Sequence, residues 1–106
     1  GLETLILQDL LAVNEYEKLG YQIFYWRTSN GTEVDFVLLG EKKLLAIEVK
    51  HSSKIDRSDL SGLRSFAKDY PEAELICLYL GNSKQEIDGV KVLPVPEVLL
   101  NLESYL

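Results

Sequence analysis

The chain has 106 residues, 46% of them hydrophobic and 26% charged, which bounds one globular domain and excludes a disordered or collagen-like chain. Its 17 acids outnumber its 11 lysines and arginines for a formal net charge of -6, so a surface made throughout to hold nucleic acid is excluded and any such contact must be local. No apolar run approaches the roughly 20 residues a helix needs to cross a bilayer, and a single cysteine, Cys77 in the apolar "ELICLYLG", reads as the inert core thiol of a cytoplasmic protein.

The first residues carry Glu3 and Asp9 where a signal peptide would be basic. The chain has no methionine and opens on Gly1 within a helical pattern, so a piece of a longer protein is expected. In chain order, Leu2, Ile6, Leu10, Val13 and Tyr16 or Leu19 keep the spacing of one helical face, and Gly20 is a natural stop, which predicts a helix over 2–19. The aromatic run "YQIFYWRT" reads as a strand, and "SNGT" after it as an Asn-Gly hairpin turn. Two more strands, "EVDFVLL" and "KLLAIEVK", are separated by "GEK" and complete a three-stranded meander. After the polar "HSSKIDRS", the residues Leu60, Leu63, Phe66, Ala67 and Tyr70 share a face, with Ser58 as the expected cap and Pro71 beyond the end. The segment "AELICLYL" is apolar without alternation, as a strand buried on both faces is, and its simplest placement is parallel to the third strand through a right-handed crossover. "GNSKQEIDG" reads as a loop, "VKVLP" as a short edge strand and "VPEVLLNLESYL" as a closing helix. The expected class is α/β, a mixed sheet flanked by helices on both sides.

Asp35, Glu48 and Lys50 interrupt strands that are otherwise fit for a core. Burying a lone carboxylate costs several kcal/mol unless something pairs with it. If the turn pairs Leu39 with Leu44, antiparallel counting sets Val37 opposite Ala46, Asp35 opposite Glu48 and Glu33 opposite Lys50. A two-residue turn would instead leave Asp35 and Glu48 diagonal on one face. By alternation Asp35, Val37 and Leu39 share a face with Leu44, Ala46, Glu48 and Lys50, while Val34, Phe36, Leu38, Leu45, Ile47 and Val49 fill the other. The charges therefore gather at the end away from the turn. Two carboxylates with Cβ atoms about 5 Å apart either share a cation or repel, and then one tends to stay protonated. The alternative is a salt cluster in which Lys50 neutralises both.

Glu3 lies within about 60° of Ile6 on the first helix, inside its apolar arc, and is expected to face the sheet as a third acid. The alternative is a first-turn glutamate placed by the helix dipole. Oxygen donors completed by water suit Mg2+ or Mn2+, whereas zinc would lack its Cys and His ligands. A cation held this way polarises a phosphoryl oxygen and acidifies bound water, and a neighbouring lysine can position that water, so the chemistry implied is phosphodiester hydrolysis. Arg57, Arg64 and Lys68 fall within about 40° of one another on the second helix, a basic stripe that either holds a phosphate backbone or is a solvated face. His51 reads as a surface or hydrogen-bonded residue, Tyr25 and Trp26 as core rather than base-stacking groups, and Arg27 as a partner of Glu33 or Asp35.

Glu3 on a helix, Asp35 in "EVDFVL" and Glu48-Val49-Lys50 in "AIEVK" resemble the motif of the PD-(D/E)XK nuclease superfamily. The resemblance implies a restriction-endonuclease-like core, α-β-β-β-α-β, with a short edge strand and a C-terminal helix added. More narrowly, "FYWRTSNGTEVDFVL", "IEVK" and "VLPVPEVLL" resemble the domain of unknown function at the C-terminus of a prokaryotic family of AAA-type ATPases, over nearly the whole chain. Carried over residue by residue, the superfamily implies Asp35, Glu48 and the Val49 carbonyl as metal ligands, Lys50 as the group that orients the attacking water, and Glu3 as an accessory. No Q-x-x-x-Y lies between Ser58 and Tyr70, which sets the chain apart from the exonuclease-like branches. The resemblance thus implies one nuclease-like domain over 1–106, dependent on Mg2+ or Mn2+, acting on DNA and partnered by an upstream ATPase domain. The alternative is a non-catalytic docking or recognition domain of that ATPase which keeps the fold. A third reading, an enzyme similar to the archaeal Holliday-junction resolvases, implies a homo-oligomer and more positive charge than this chain carries.

Overall fold

A computed structural model describes residues 1–106. The elements in order are α1 (Leu2–Tyr16), β1 (Gln22–Arg27), β2 (Glu33–Leu39), β3 (Leu44–Val49), α2 (Ser61–Asp69), β4 (Glu74–Tyr79), β5 (Gln85–Ile87), β6 (Val90–Pro94), α3 (Val95–Leu100) and α4 (Leu102–Tyr105). They form an α/β fold around one mixed six-stranded sheet ordered β1-β2-β3-β4-β6-β5. The first three strands are an antiparallel meander, β4 and β6 run parallel to β3, and β5 turns back antiparallel at the edge. Side chains alternating off β2, β3, β4 and β6 split the core in two, 13 buried residues under α1, α3 and α4 and 11 under α2. No helix is long and apolar enough to cross a membrane.

Helix α1 stops at Tyr16, three residues before the predicted end, because the chain turns through Lys18 at φ 55 and the Asn14 side chain takes over both polar groups of the Tyr21 backbone, at 2.8 and 2.9 Å. Between β1 and β2, only Gly31 of the Asn-Gly pair has positive φ, and the Gly31 N–H donates to the Thr28 carbonyl. The connection is therefore a longer loop than the two-residue hairpin turn that "SNGT" predicts, since that turn needs both residues left-handed.

A register shift interrupts the β1–β2 ladder: Phe24 faces Val37 while Trp26 faces Val34, so Asp35 and Phe36 stand opposite the single residue Tyr25. This bulge breaks alternation. Val34 consequently packs beside Val37 and Ala46 under α2, not with Phe36 and Leu38 as the period of two predicts. Tyr25, expected in the core, is 57% exposed and bonds Glu33, whereas Trp26 is half-buried edge-on to Phe66.

Helix α2 is preceded by a 3-10 turn over Arg57–Leu60, and its cap is Asp56, not Ser58. The Asp56 carboxylate accepts from the N–H groups of Ser58 and Asp59 while Asp59 accepts from the Asp56 N–H at 3.0 Å, a reciprocal cap two residues earlier than predicted. Gly62 seats α2 on the start of β2: a Cβ there would lie 2.6 Å from the Glu33 carbonyl oxygen. Further on, the segment predicted as a loop contains β5. Asp88 and Gly89, at φ 51 and 78, make the two-residue turn of a β5–β6 hairpin, so β6 is interior and β5 is the edge. The closing helix is two short helices, broken at Asn101 (φ -130), whose amide bonds the Glu97 carbonyl at 2.9 Å.

Candidate active site

The β2–β3 ladder runs Leu39↔Leu44, Val37↔Ala46 and Phe36↔Ile47, and regular pairing stops there. One step further, the carboxylates of Asp35 and Glu48 replace the ladder. The Asp35 N–H donates to Glu48 Oε1 at 3.1 Å and the Val49 N–H donates to Asp35 Oδ2 at 2.9 Å. Each acid thus closes a backbone donor of the opposite strand, which holds both side chains in the gap between β2 and β3. The bulge at Asp35 and Phe36 sits at the same place, where such a defect can re-aim a side chain.

The Glu48 side chain is only 13% exposed. Burial pushes its carboxyl up from the ordinary range to about 8, and the hydrogen bond to Asp35 and the Asp35 charge add to the rise. The Asp35 N–H and the Lys50 ammonium pull the other way and lose. Lys50 Nζ stands 3.8 Å from Glu48 Oε2 and is 34% exposed, a charge contact too long for a hydrogen bond. Were Lys50 neutralising both acids, Glu48 would ionise readily. The pair is instead short of positive charge, with Glu48 largely buried and the neighbouring Lys50 one-third exposed.

The donor set fits a hard divalent cation. Two carboxylates meet, and the Val49 carbonyl points to the same side of its strand as the N–H that bonds Asp35. Mg2+ and Mn2+ are commonly held by one or two carboxylates, with water and phosphate oxygens completing the shell. The Cys77 thiol is buried and pushed up to about 12, mainly by desolvation, and no three His, Cys, Asp or Glu side chains come together as a metal group, so water or phosphate oxygens would have to complete any shell around the pair.

The structure does not bring Glu3 to the pair. Its carboxylate lies 2.9 Å from His51 Nε2, and that hydrogen bond is the main cause holding it below the usual range. The N-terminus of α1 is thereby tied to the residue after Lys50. Of the basic stripe, Arg57 falls in the 3-10 turn before α2 and bonds Asp88, and the Arg64 Nε lies 3.7 Å from the same Asp88 oxygen. Lys68 makes no ion pair. Sequence reasoning missed Asp88, whose signal was the Asp-Gly turn, and the backbone donor of Val49, which has none. Arg27 faces Glu33 in the ladder, yet Glu33 bonds Tyr25.

A family described as "Domain of unknown function (DUF4143)" matches residues 2–98. None of the curated proteins matches the chain.

Proposed function

The chain belongs to the DUF4143 family, and from that premise we propose that it is a PD-(D/E)XK nuclease-like domain that hydrolyses phosphodiester bonds of DNA with Mg2+ or Mn2+, as the C-terminal, cytoplasmic part of an AAA-type ATPase. The observation that carries the reading is the juxtaposition of Asp35 and Glu48 at the open end of an otherwise apolar hairpin, with Lys50 beside them. The order α1-β1-β2-β3-α2-β4 with a parallel β3–β4 pair supports a restriction-endonuclease-like core. Asp35, Glu48 and the Val49 carbonyl would hold the cation, which when bound supplies positive charge to a phosphoryl oxygen and a more acidic water. Lys50 orients the attacking water and stabilises charge developing on the phosphate. Burial of the Glu48 side chain keeps its carboxyl desolvated, so its attraction for a cation, once ionised, is strong. Glu3 acts at a distance, by fixing His51 and the strand end that carries Lys50.

Incubating the domain with DNA and millimolar Mn2+ should yield cleavage that is lost in Asp35→Ala and in Glu48→Ala. Cleavage surviving unchanged in Asp35→Ala would exclude this site. Binding can be read separately from turnover: at ten times Kd a cation adds about 1.4 kcal/mol, roughly 5–10 °C in Tm for a domain of this size.

A second reading, a non-catalytic docking domain of the ATPase that keeps the fold, is favoured by Glu3 standing away from the pair and by Asp88 occupying both Arg57 and Arg64. It expects Mn2+ to leave Tm unmoved.

A further inference from the structure

Helix α1 is apolar on more than the side it buries. Ile6 and Leu10 enter the core, while Leu5, Leu11 and Tyr16 stay exposed, Tyr16 at 85%. Exposed apolar side chains that cluster on a face the protein does not bury mark a surface that a partner can cover. Leu5, Ala12 and Tyr16 fall within about 40° of one another, and with Asp9 they follow the 4-3-4 spacing of a helix–helix seam. Beside that stripe, Val13 and Tyr16 of α1 and Leu99, Leu100 and Leu102 of α3 and α4 line a groove of about 510 Å³, and Leu100 is 84% exposed. Glu17 and Glu103 stand at its rim.

The charge of this layer is one-sided. Glu3, Asp9 and Glu15 of α1, Glu97 of α3 and Glu103 of α4 are accompanied by no lysine or arginine on the same helices. His51 covers Glu3 and Lys84 covers Glu97, but Asp9, Glu15, Glu17 and Glu103 make no ion pair. We propose that the groove between α1 and the α3–α4 pair docks an amphipathic helix of a partner chain, with leucine-like anchors on one side and lysines or arginines flanking them. Apolar anchors fill the groove, and the basic flanks meet Asp9, Glu17 and Glu103. The occupant is a helix because the groove walls are helices whose backbone groups are already bonded, so the partner must satisfy its own. A second copy would bring a second acid-only face against the first, and anionic lipid headgroups would be repelled.

The test uses the whole 106-residue chain and a fluorescent helical Leu/Lys peptide of about five turns, with a Leu/Glu counterpart and a scrambled Leu/Lys peptide as controls. Anisotropy should report micromolar binding of the Leu/Lys helix alone, weakened by salt and reduced roughly tenfold or more by Tyr16→Asp and by Leu100→Asp. Both sites are too exposed for these changes to unfold the chain, and amide NMR shifts should cluster on α1, α3 and α4. Equal binding of the controls, no binding at all, or variants that bind like the parent would overturn the proposal. So would self-association abolished by Leu100→Asp, or recruitment to anionic vesicles. The readout involves neither metal nor nucleic acid, so it stands or falls apart from the nuclease reading.

Discussion

The two ends of the β2–β3 hairpin are built on opposite principles. At the turn end and through its middle, Leu38 and Leu45 face each other fully buried and the ladder is regular from Leu39 to Phe36. At the open end, the backbone gives up its ladder to two acids that repel each other, and nothing in the protein neutralises both. The difference separates what the hairpin contributes to folding from what it holds ready for a ligand: apolar contacts stabilise the protein by themselves, whereas an under-neutralised acid pair is a liability until positive charge arrives. The contrast predicts that truncations at the buried end destabilise under all conditions, while neutralising the open end helps the metal-free protein. Leu38→Ala should cost about 2–5 kcal/mol in urea unfolding, with or without Mn2+. A loss below about 1 kcal/mol would break the distinction from its stable side.

The second largest effect is a pH dependence. Glu48 holds its proton in the folded chain up to about 8 and releases it near 4.5 once unfolded. Between those values the unfolded state has lost a proton that the native state keeps, so stability falls as pH rises from about 4.5 to about 8. Below that window both states are protonated and the stability is fully present. Urea titrations in EDTA should show this falling limb, amounting to a few kcal/mol at most. In Glu48→Gln, which keeps an oxygen to accept the Asp35 N–H, the limb should flatten. A limb of the same slope in that variant would assign the titration elsewhere. A bound divalent cation should reverse the trend, because it favours the ionised acids.

Much of this architecture is legible in local pattern, and the parts that are not share a cause. The pairing of Leu39 with Leu44 follows from apolar residues on both sides of a short turn, and that register alone brings Asp35 and Glu48 together. The bulge at Asp35 and Phe36 is invisible there, since it is set by Tyr25 on a strand whose register depends on the whole sheet. The expectation for Val34 fails for that reason. Glu3 and His51 meet across 48 positions of sequence, so helical periodicity, which puts Glu3 inside the apolar arc, could not say what it would bond. Gly62 has the low helix propensity of any glycine, and only the carbonyl of Glu33 reveals why no side chain fits there. The Asp88-Gly89 turn, by contrast, carries a local signal that the expected loop over "GNSKQEIDG" passes over, since its two residues are favoured ones for a hairpin.

A smaller effect sharpens the comparison at its centre. Asp35→Asn keeps the side-chain oxygen that accepts the Val49 N–H and removes the charge facing Glu48. In metal-free buffer above about pH 8, where Glu48 is ionised too, it should raise stability by about 1 kcal/mol, a relief of the size expected for like charges directly opposite in a sheet. The same change should abolish any rise in Tm on adding Mn2+. If Asp35→Asn destabilises in EDTA at that pH, the pair is a structural salt cluster and the open end resembles the rest of the hairpin after all.

The smallest change in stability is expected at Lys50, the residue that the proposed reaction uses to orient water. Lys50 is one-third exposed and touches Glu48 only at 3.8 Å, so Lys50→Ala should alter stability by no more than about 0.5 kcal/mol. Its charge does oppose the upward shift of Glu48, and removing it should extend the upper end of the falling limb to higher pH while the lower end stays in place. Mn2+ should still bind, because both carboxylates remain, while metal-dependent DNA cleavage should be lost. A Lys50→Ala chain that binds Mn2+ and cleaves as before would leave the acid pair as a metal site and take the water-orienting role away from Lys50. A chain that unfolds would show that the ammonium is needed for folding, against the weak contact seen here. The expected pattern, intact stability with activity gone, is what distinguishes a group held for chemistry from one held for the fold.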